Sequence, residues 1–144
     1  MNEYLELRDR QQQEFNALPL GFAFDQKQFK EMMQGWGLHP ERDTKKICPI
    51  GAGGYIQKKD VGLLRQTSRR HKWELAAAIA ADTTGNGFIF QMFYYELVNH
   101  EYGFTRDAED TLEALGYTME RVQANQCLRT GFELACKKIM EERS

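Results

Sequence analysis

The sequence predicts an all-α fold: a compact helical bundle with one small β-hairpin around residues 47–56. Three observations carry that expectation. Apolar residues recur at helical spacing in several segments, each with its own polar cap. Only one short stretch, rich in glycine, has the arms and turn of a β element. The composition, 42% hydrophobic and 28% charged over 144 residues, is that of an ordinary globular domain with enough chain to bury a core. No repeat, linker or change of composition divides the chain, so residues 1–144 read as a single helical domain.

Taken in order, residues 2–17 form a polar helix capped by Asn2 and anchored by Tyr4, Leu7 and Phe15. Pro19 breaks it, and Leu18 to Phe24 reads as an apolar connector. Asp25 caps a second helix, with Gln28 three residues on in a capping-box pattern. Its buried stripe is Phe29, Met32, Met33 and Trp36, and Gly37 closes it. Residues 39–43 make a turn. Ile47–Ile56 is the hairpin, two short apolar arms around Gly51-Ala52-Gly53-Gly54.

Asp60 caps a helix of about twenty residues, with Leu64, His71, Leu75, Ala78 and Ile79 on one face. After the turn at Thr83–Gly87, the run Phe88–Val98 is apolar nearly all round. It reads as the central helix of the bundle in preference to a strand. Asp107 and Thr118 cap two short helices, with Gly116 ending the first. A last helix, about Gln126 to Glu142, carries Leu128, Phe132, Ala135 and Ile139 on one stripe.

Charge and cysteines exclude several classes of function. The net charge is −2, so bulk attraction to nucleic acid or an anionic membrane is not expected. The distribution is uneven. Residues 47–95 hold six basic against three acidic side chains, and residues 96–120 hold one against seven. Ion pairing of the basic helix face with the 96–120 segment is the expected use of these charges. Cys48, Cys127 and Cys136 have no C-x-x-C spacing, so neither a disulfide framework nor a structural zinc site is expected. The first residues lack a basic stretch followed by an apolar one, and no apolar run approaches the ~20 residues of a membrane span. A cytoplasmic protein without membrane contact is the expectation.

Four constellations could carry chemistry. The glycine stretch before Lys58 and Lys59 could cradle phosphate, but it matches neither G-x-x-x-x-G-K-[ST] nor G-x-G-x-x-G, and a hairpin turn explains it. Glu96 and His100, four residues apart, share a helix face and could ligate a metal or exchange a proton. The pattern is not H-E-x-x-H, and no third ligand is placed nearby. Residues 107–125 have the spacing of a helix-turn-helix, but residues 107–126 carry five acidic side chains and one basic, the wrong sign for DNA. The basic face of Arg65, Arg69 and Lys72, with Arg70 alongside, could grip nucleic acid or an acidic partner, but a solvated helix face with internal ion pairs is the preferred reading. No nucleophile elbow, Cys–His pair or carboxylate pair is present, so no catalytic residue, metal or cofactor is expected.

The stretch Glu96-Leu97-Val98-Asn99-His100-Glu101-Tyr102, with Asp110–Thr118 behind it, resembles small uncharacterised proteins carried on bacterial phages and conjugative elements. The likeness extends to the segments from Glu14 to Asn16 and from there to Trp36-Gly37. That family has no established activity, so no functional residue carries over. The resemblance implies a bacterial accessory protein that works by binding something. The expectation is therefore a non-catalytic protein-interaction protein with a protein partner. Its expected binding surface is the polar end of the central helix, Glu96, Asn99, His100, Glu101 and Tyr102. The alternatives are a metal-assisted hydrolase centred on Glu96 and His100, and a nucleic-acid or nucleotide binder using Lys58, Lys59, Arg65 and Arg69.

Overall fold

A computed structural model describes residues 2–143. Its elements follow in the order α1 (Glu3–Asn16), β1 (Leu20–Phe22), α2 (Gln26–Gly35), β2 (Ile47–Gly51), β3 (Gly54–Gln57), α3 (Val61–Ala81), α4 (Phe88–Asn99), α5 (Tyr102–Thr105), α6 (Glu109–Leu115), α7 (Met119–Ala124) and α8 (Gln126–Glu142). The protein is mostly helical, as expected. One feature of the expected fold is corrected: the strands do not form a lone hairpin. They form a three-stranded antiparallel sheet in the order β1-β3-β2. The added strand is Leu20–Phe22, which the sequence presents as an apolar connector. A three-residue strand has no period to display, so its pairing partner alone reveals it.

The chain forms two compact units, Met1–Arg10 with Trp73–Ser144, and Gln11–Lys72. In the first, α4 packs along α8 and buries Phe88, Ile89, Met92, Phe93, Glu96 and Leu97. That spacing repeats every three to four residues, so one broad face of the helix is dry. Phe132, Ala135 and Ile139 of α8 answer it, with Phe93 and Phe132 edge to face at 5.3 Å. Leu112 of α6, Val122 of α7 and Tyr4 of α1 complete the same core.

Side chains close the helix ends much as the sequence implies. Asn2, Thr118 and Asn125 each accept a backbone N–H from the first turn of α1, α7 and α8. Asp60 is different. It ends a 3-10 turn, Lys58–Asp60, that runs directly into α3. The loop before α4 is organised by Asp82, whose carboxylate accepts the backbone N–H groups of Thr84, Gly85, Gly87 and Ile89. Burial pushes that carboxyl up, and the four N–H donors outweigh it, holding it below the usual carboxylate range.

In the second unit, α2 lies against β1, and Met33, Ile47 and Ile56 are buried. Asp25 caps α2 through the Gln28 N–H, and the Gln28 side chain accepts in return from Phe24 N–H at 2.8 Å. A Cβ on Gly21 would lie within 2.8 Å of Met32 and Trp36, so only glycine lets β1 approach α2 this closely. Pro49, which cannot donate to a ladder, sits on the edge strand β2.

The turn between β2 and β3 has Ala52 at φ 51° and Gly53 at φ 76°, both left-handed, as a type I′ turn requires. Alanine is a poor occupant of that position and asparagine a good one. Ala52→Asn is therefore expected to stabilise the protein by about 0.5–1 kcal/mol. Urea unfolding measures it, and a loss of stability would contradict the turn assignment.

Candidate functional site

Glu96 falls on the dry face of α4, three residues after Phe93. Its side chain reaches the first turns of α1, where the Tyr4 hydroxyl donates to Oε2 at 2.5 Å. The Arg8 guanidinium lies 3.9 Å from Oε1, too far for a hydrogen bond, and Oε1 itself is buried without one. Arg8 also sits 5.2 Å above the ring of Tyr95, and Tyr4 packs edge-on to Phe88. Burial, then the hydrogen bond to Glu96 and its charge, raise the Tyr4 phenol well above its ordinary pKa. The Glu3 N–H donates to Gln91 Oε1 at 2.7 Å in the same place. The cluster is therefore a polar clasp that fixes the start of α1 to α4.

His100 does not meet the Glu96 carboxylate. It ends α4, and its Nδ1 lies 2.7 Å from the carbonyl oxygen of Glu96, which can only accept, so Nδ1 carries the proton. The Thr111 hydroxyl donates to that same carbonyl at 3.3 Å. Asn99 and Glu101 are exposed, Glu101 in the left-handed region at φ 63°. Tyr102 is half-buried with its hydroxyl on the Cys136 thiol. That hydrogen bond and burial push it up to about 12. The five residues expected to line one site thus divide. Glu96 turns inward, Tyr102 is tied to α8, and Asn99, Glu101 and part of His100 face solvent. Among the described residues, no set of three His, Cys, Asp or Glu ligand atoms converges on Glu96 and His100.

The other constellations are placed as follows. The glycine stretch is the β2–β3 turn, with Gly54 buried in β3. The α6–α7 pair turns at Gly116 in the left-handed conformation. Beside it lies an open groove of about 450 Å³ lined by Asp107, Glu109, Leu112, Glu113, Tyr117 and Met119. The acidic residues Asp107, Glu109, Asp110, Glu113 and Glu120 form no ion pairs among the described residues, nor do Arg65, Arg69 and Lys72. In the second unit, Glu14 takes both Arg70, at 3.1 Å, and His71 Nε2, at 2.9 Å.

A surface missed in the sequence lies beside β1. Strand geometry sends successive side chains to opposite sides, so Ala23 is buried while Phe22 and Phe24 are 53% and 74% exposed. The Ala23 N–H donates to the Gly53 carbonyl, and the Phe24 ring lies over Gly53 at a place where a Cβ would collide with it. One side of Phe24 borders a groove of about 550 Å³ that includes Asp25, Phe29, Lys30, Pro40 and Tyr55. The other borders a shallower one with Phe22, Gln28, Glu31 and Met32. The available signal was the Phe-Ala-Phe alternation, three residues long.

These features define a mostly helical protein with a small antiparallel sheet. Among the described residues no helix is long and apolar enough to cross a membrane. Residues 3–138 match a family of unknown function, DUF7659, and the chain belongs to that family. No curated protein and no solved structure matches the chain.

Proposed function

We propose that this is a non-catalytic binding protein that holds a protein partner on the aromatic surface of Phe22 and Phe24. The reading includes a cytoplasmic accessory role of the kind carried on phages and conjugative elements, as the sequence resemblance implies. The observation that carries it is Phe24, 74% exposed and yet held in one place. Its N–H is tied to Gln28, and its ring rests on the β2–β3 turn. Fully burying a phenylalanine is worth roughly 1.5–3 kcal/mol, so two exposed side by side are an unspent driving force for association. Fixing them beforehand lowers the entropic cost of binding, and rigid aromatics beside grooves are typical anchors of protein interfaces. At the α4 end, Asn99, His100 and Glu101 remain available as a second contact. The geometry lends little to a hydrolase at Glu96 and His100, because the carboxylate is occupied by Tyr4 and the imidazole by a carbonyl.

The test is capture from bacterial lysate with the intact chain and with Phe22→Ser/Phe24→Ser. The expected result is a defined partner retained by the parent and lost by the variant, with stability changed by no more than about 0.5 kcal/mol per site. A partner held equally by both chains would overturn the reading. So would turnover of a substrate with no partner at all.

A further inference from the structure

We infer that the basic face of α3 is a binding surface for the phosphate backbone of nucleic acid, independent of the aromatic surface at Phe24. Arg65, Arg69 and Lys72 recur at four and three residues, so they stand in a row on one side of a regular helix. Lys58 and Lys59 precede them on the 3-10 turn at its foot. All five are exposed, and none forms an ion pair among the described residues. Some other cations of the chain are engaged: Arg70 with Glu14, Lys46 with Asp43, Arg10 with Glu74. Charges left unpaired in a row are available to an outside anion.

The chemistry of the row selects the anion. Gln66 is exposed between the arginines, and Gly62 has open space around it, with no atom within 4 Å of where a side chain would start. The row offers mainly hydrogen-bond donors and cations; the same helix also exposes Leu63 and Trp73. Protein interface cores, by contrast, are depleted in lysine. Contacts to phosphate come from Arg, Lys and Gln. From Arg65 to Lys72 the helix rises about 10 Å, a length over which a duplex presents about six phosphate charges at one per ~1.7 Å. The net charge of −2 does not oppose this at physiological salt, where charges beyond about 8 Å are largely screened. Backbone contacts alone make the binding independent of base sequence.

Fluorescence anisotropy with the full chain and a labelled duplex of arbitrary sequence tests it. Five contacts give a slope of about −4 to −5 for log K against log salt, or roughly a 500-fold loss between 50 and 200 mM. Arg65→Gln/Arg69→Gln should lower the slope by about 2 while leaving the circular dichroism unchanged. Should that variant misfold, Lys58→Gln/Lys59→Gln carries the same expectation. Phe22→Ser/Phe24→Ser should bind DNA as the parent does, which separates this surface from the proposed protein-binding one. Absence of binding at 50 mM salt would overturn the inference. So would a variant with the parent's slope, or polyglutamate bound as tightly as the duplex.

Discussion

Tyr4→Phe is expected to destabilise the protein by about 3 kcal/mol, although it removes a single oxygen. The ring keeps its packing against Phe88 and Tyr95. What it loses is the hydroxyl that donates to Glu96 at 2.5 Å, the carboxylate's one hydrogen bond. A hydrogen bond to a charged group is worth roughly 1.5–3 kcal/mol, and a buried charge stripped of its partner costs roughly 3–5 kcal/mol. Arg8 at 3.9 Å, nearly half exposed, compensates weakly. A thermal melt should show a drop of roughly 10 °C for a chain of this size. Glu96→Gln should cost less, since the amide oxygen can still accept from Tyr4.

Alkali supplies a control with a definite sign. The folded Tyr4 pKa lies above its unfolded value near 10, because burial and the neighbouring Glu96 both disfavour the phenolate. Its contribution is therefore complete below about pH 10 and is lost as pH rises through the folded pKa. The stability gap between the parent and Tyr4→Phe should narrow above pH 10. A gap below 0.5 kcal/mol at neutral pH would show that the clasp between α1 and α4 is not a strut of the fold.

Gly131→Ala should cost about 2 kcal/mol, against the ordinary preference of helices for alanine. A Cβ there would lie 2.5 Å from Ile89 Cγ2, 2.6 Å from the Gly85 carbonyl oxygen and 3.0 Å from the Phe90 nitrogen. A side chain could rotate away, but two of these atoms are backbone. Gly85 is moreover held through the Asp82 carboxylate, together with Gly87 and Ile89. Relief therefore requires α8 to move off α4 along the main contact of the first unit. Overpacking of about 3 kcal/mol, offset by about 1 kcal/mol of helix propensity, leaves the net figure. Gly62→Ala in α3 supplies the opposite sign. Its Cβ meets nothing within 4 Å, so a gain of up to about 1 kcal/mol is expected. Denaturant midpoints of the two variants moving in the same direction would refute the close approach at Gly131.

The contrast between those glycines shows where sequence reading stops. Both sit in helices, and nothing local distinguishes them; only the neighbouring chain does. By itself the sequence determined the helices other than α5, their caps at Asn2, Asp25 and Thr118, and α4 as the most apolar of them. Those signals are local, repeating every three to four residues or lying within one turn. It also placed the hairpin turn, because two consecutive left-handed residues demand a glycine-rich stretch.

Only the tertiary structure decided the third strand, whose three residues become a strand by pairing with β3. The tertiary structure likewise turned Glu96 inward. Helix spacing put Glu96 and His100 on one face, but a partner 92 residues away, Tyr4, claimed the carboxylate, and a backbone carbonyl claimed the imidazole. The exposure of Phe22 and Phe24 follows from the same strand: pairing places Ala23 inside, and alternation then sends its neighbours out. A periodic pattern records which way a side chain faces along its own element. Which distant group it meets depends on contacts between segments far apart in the chain, and these leave no local trace.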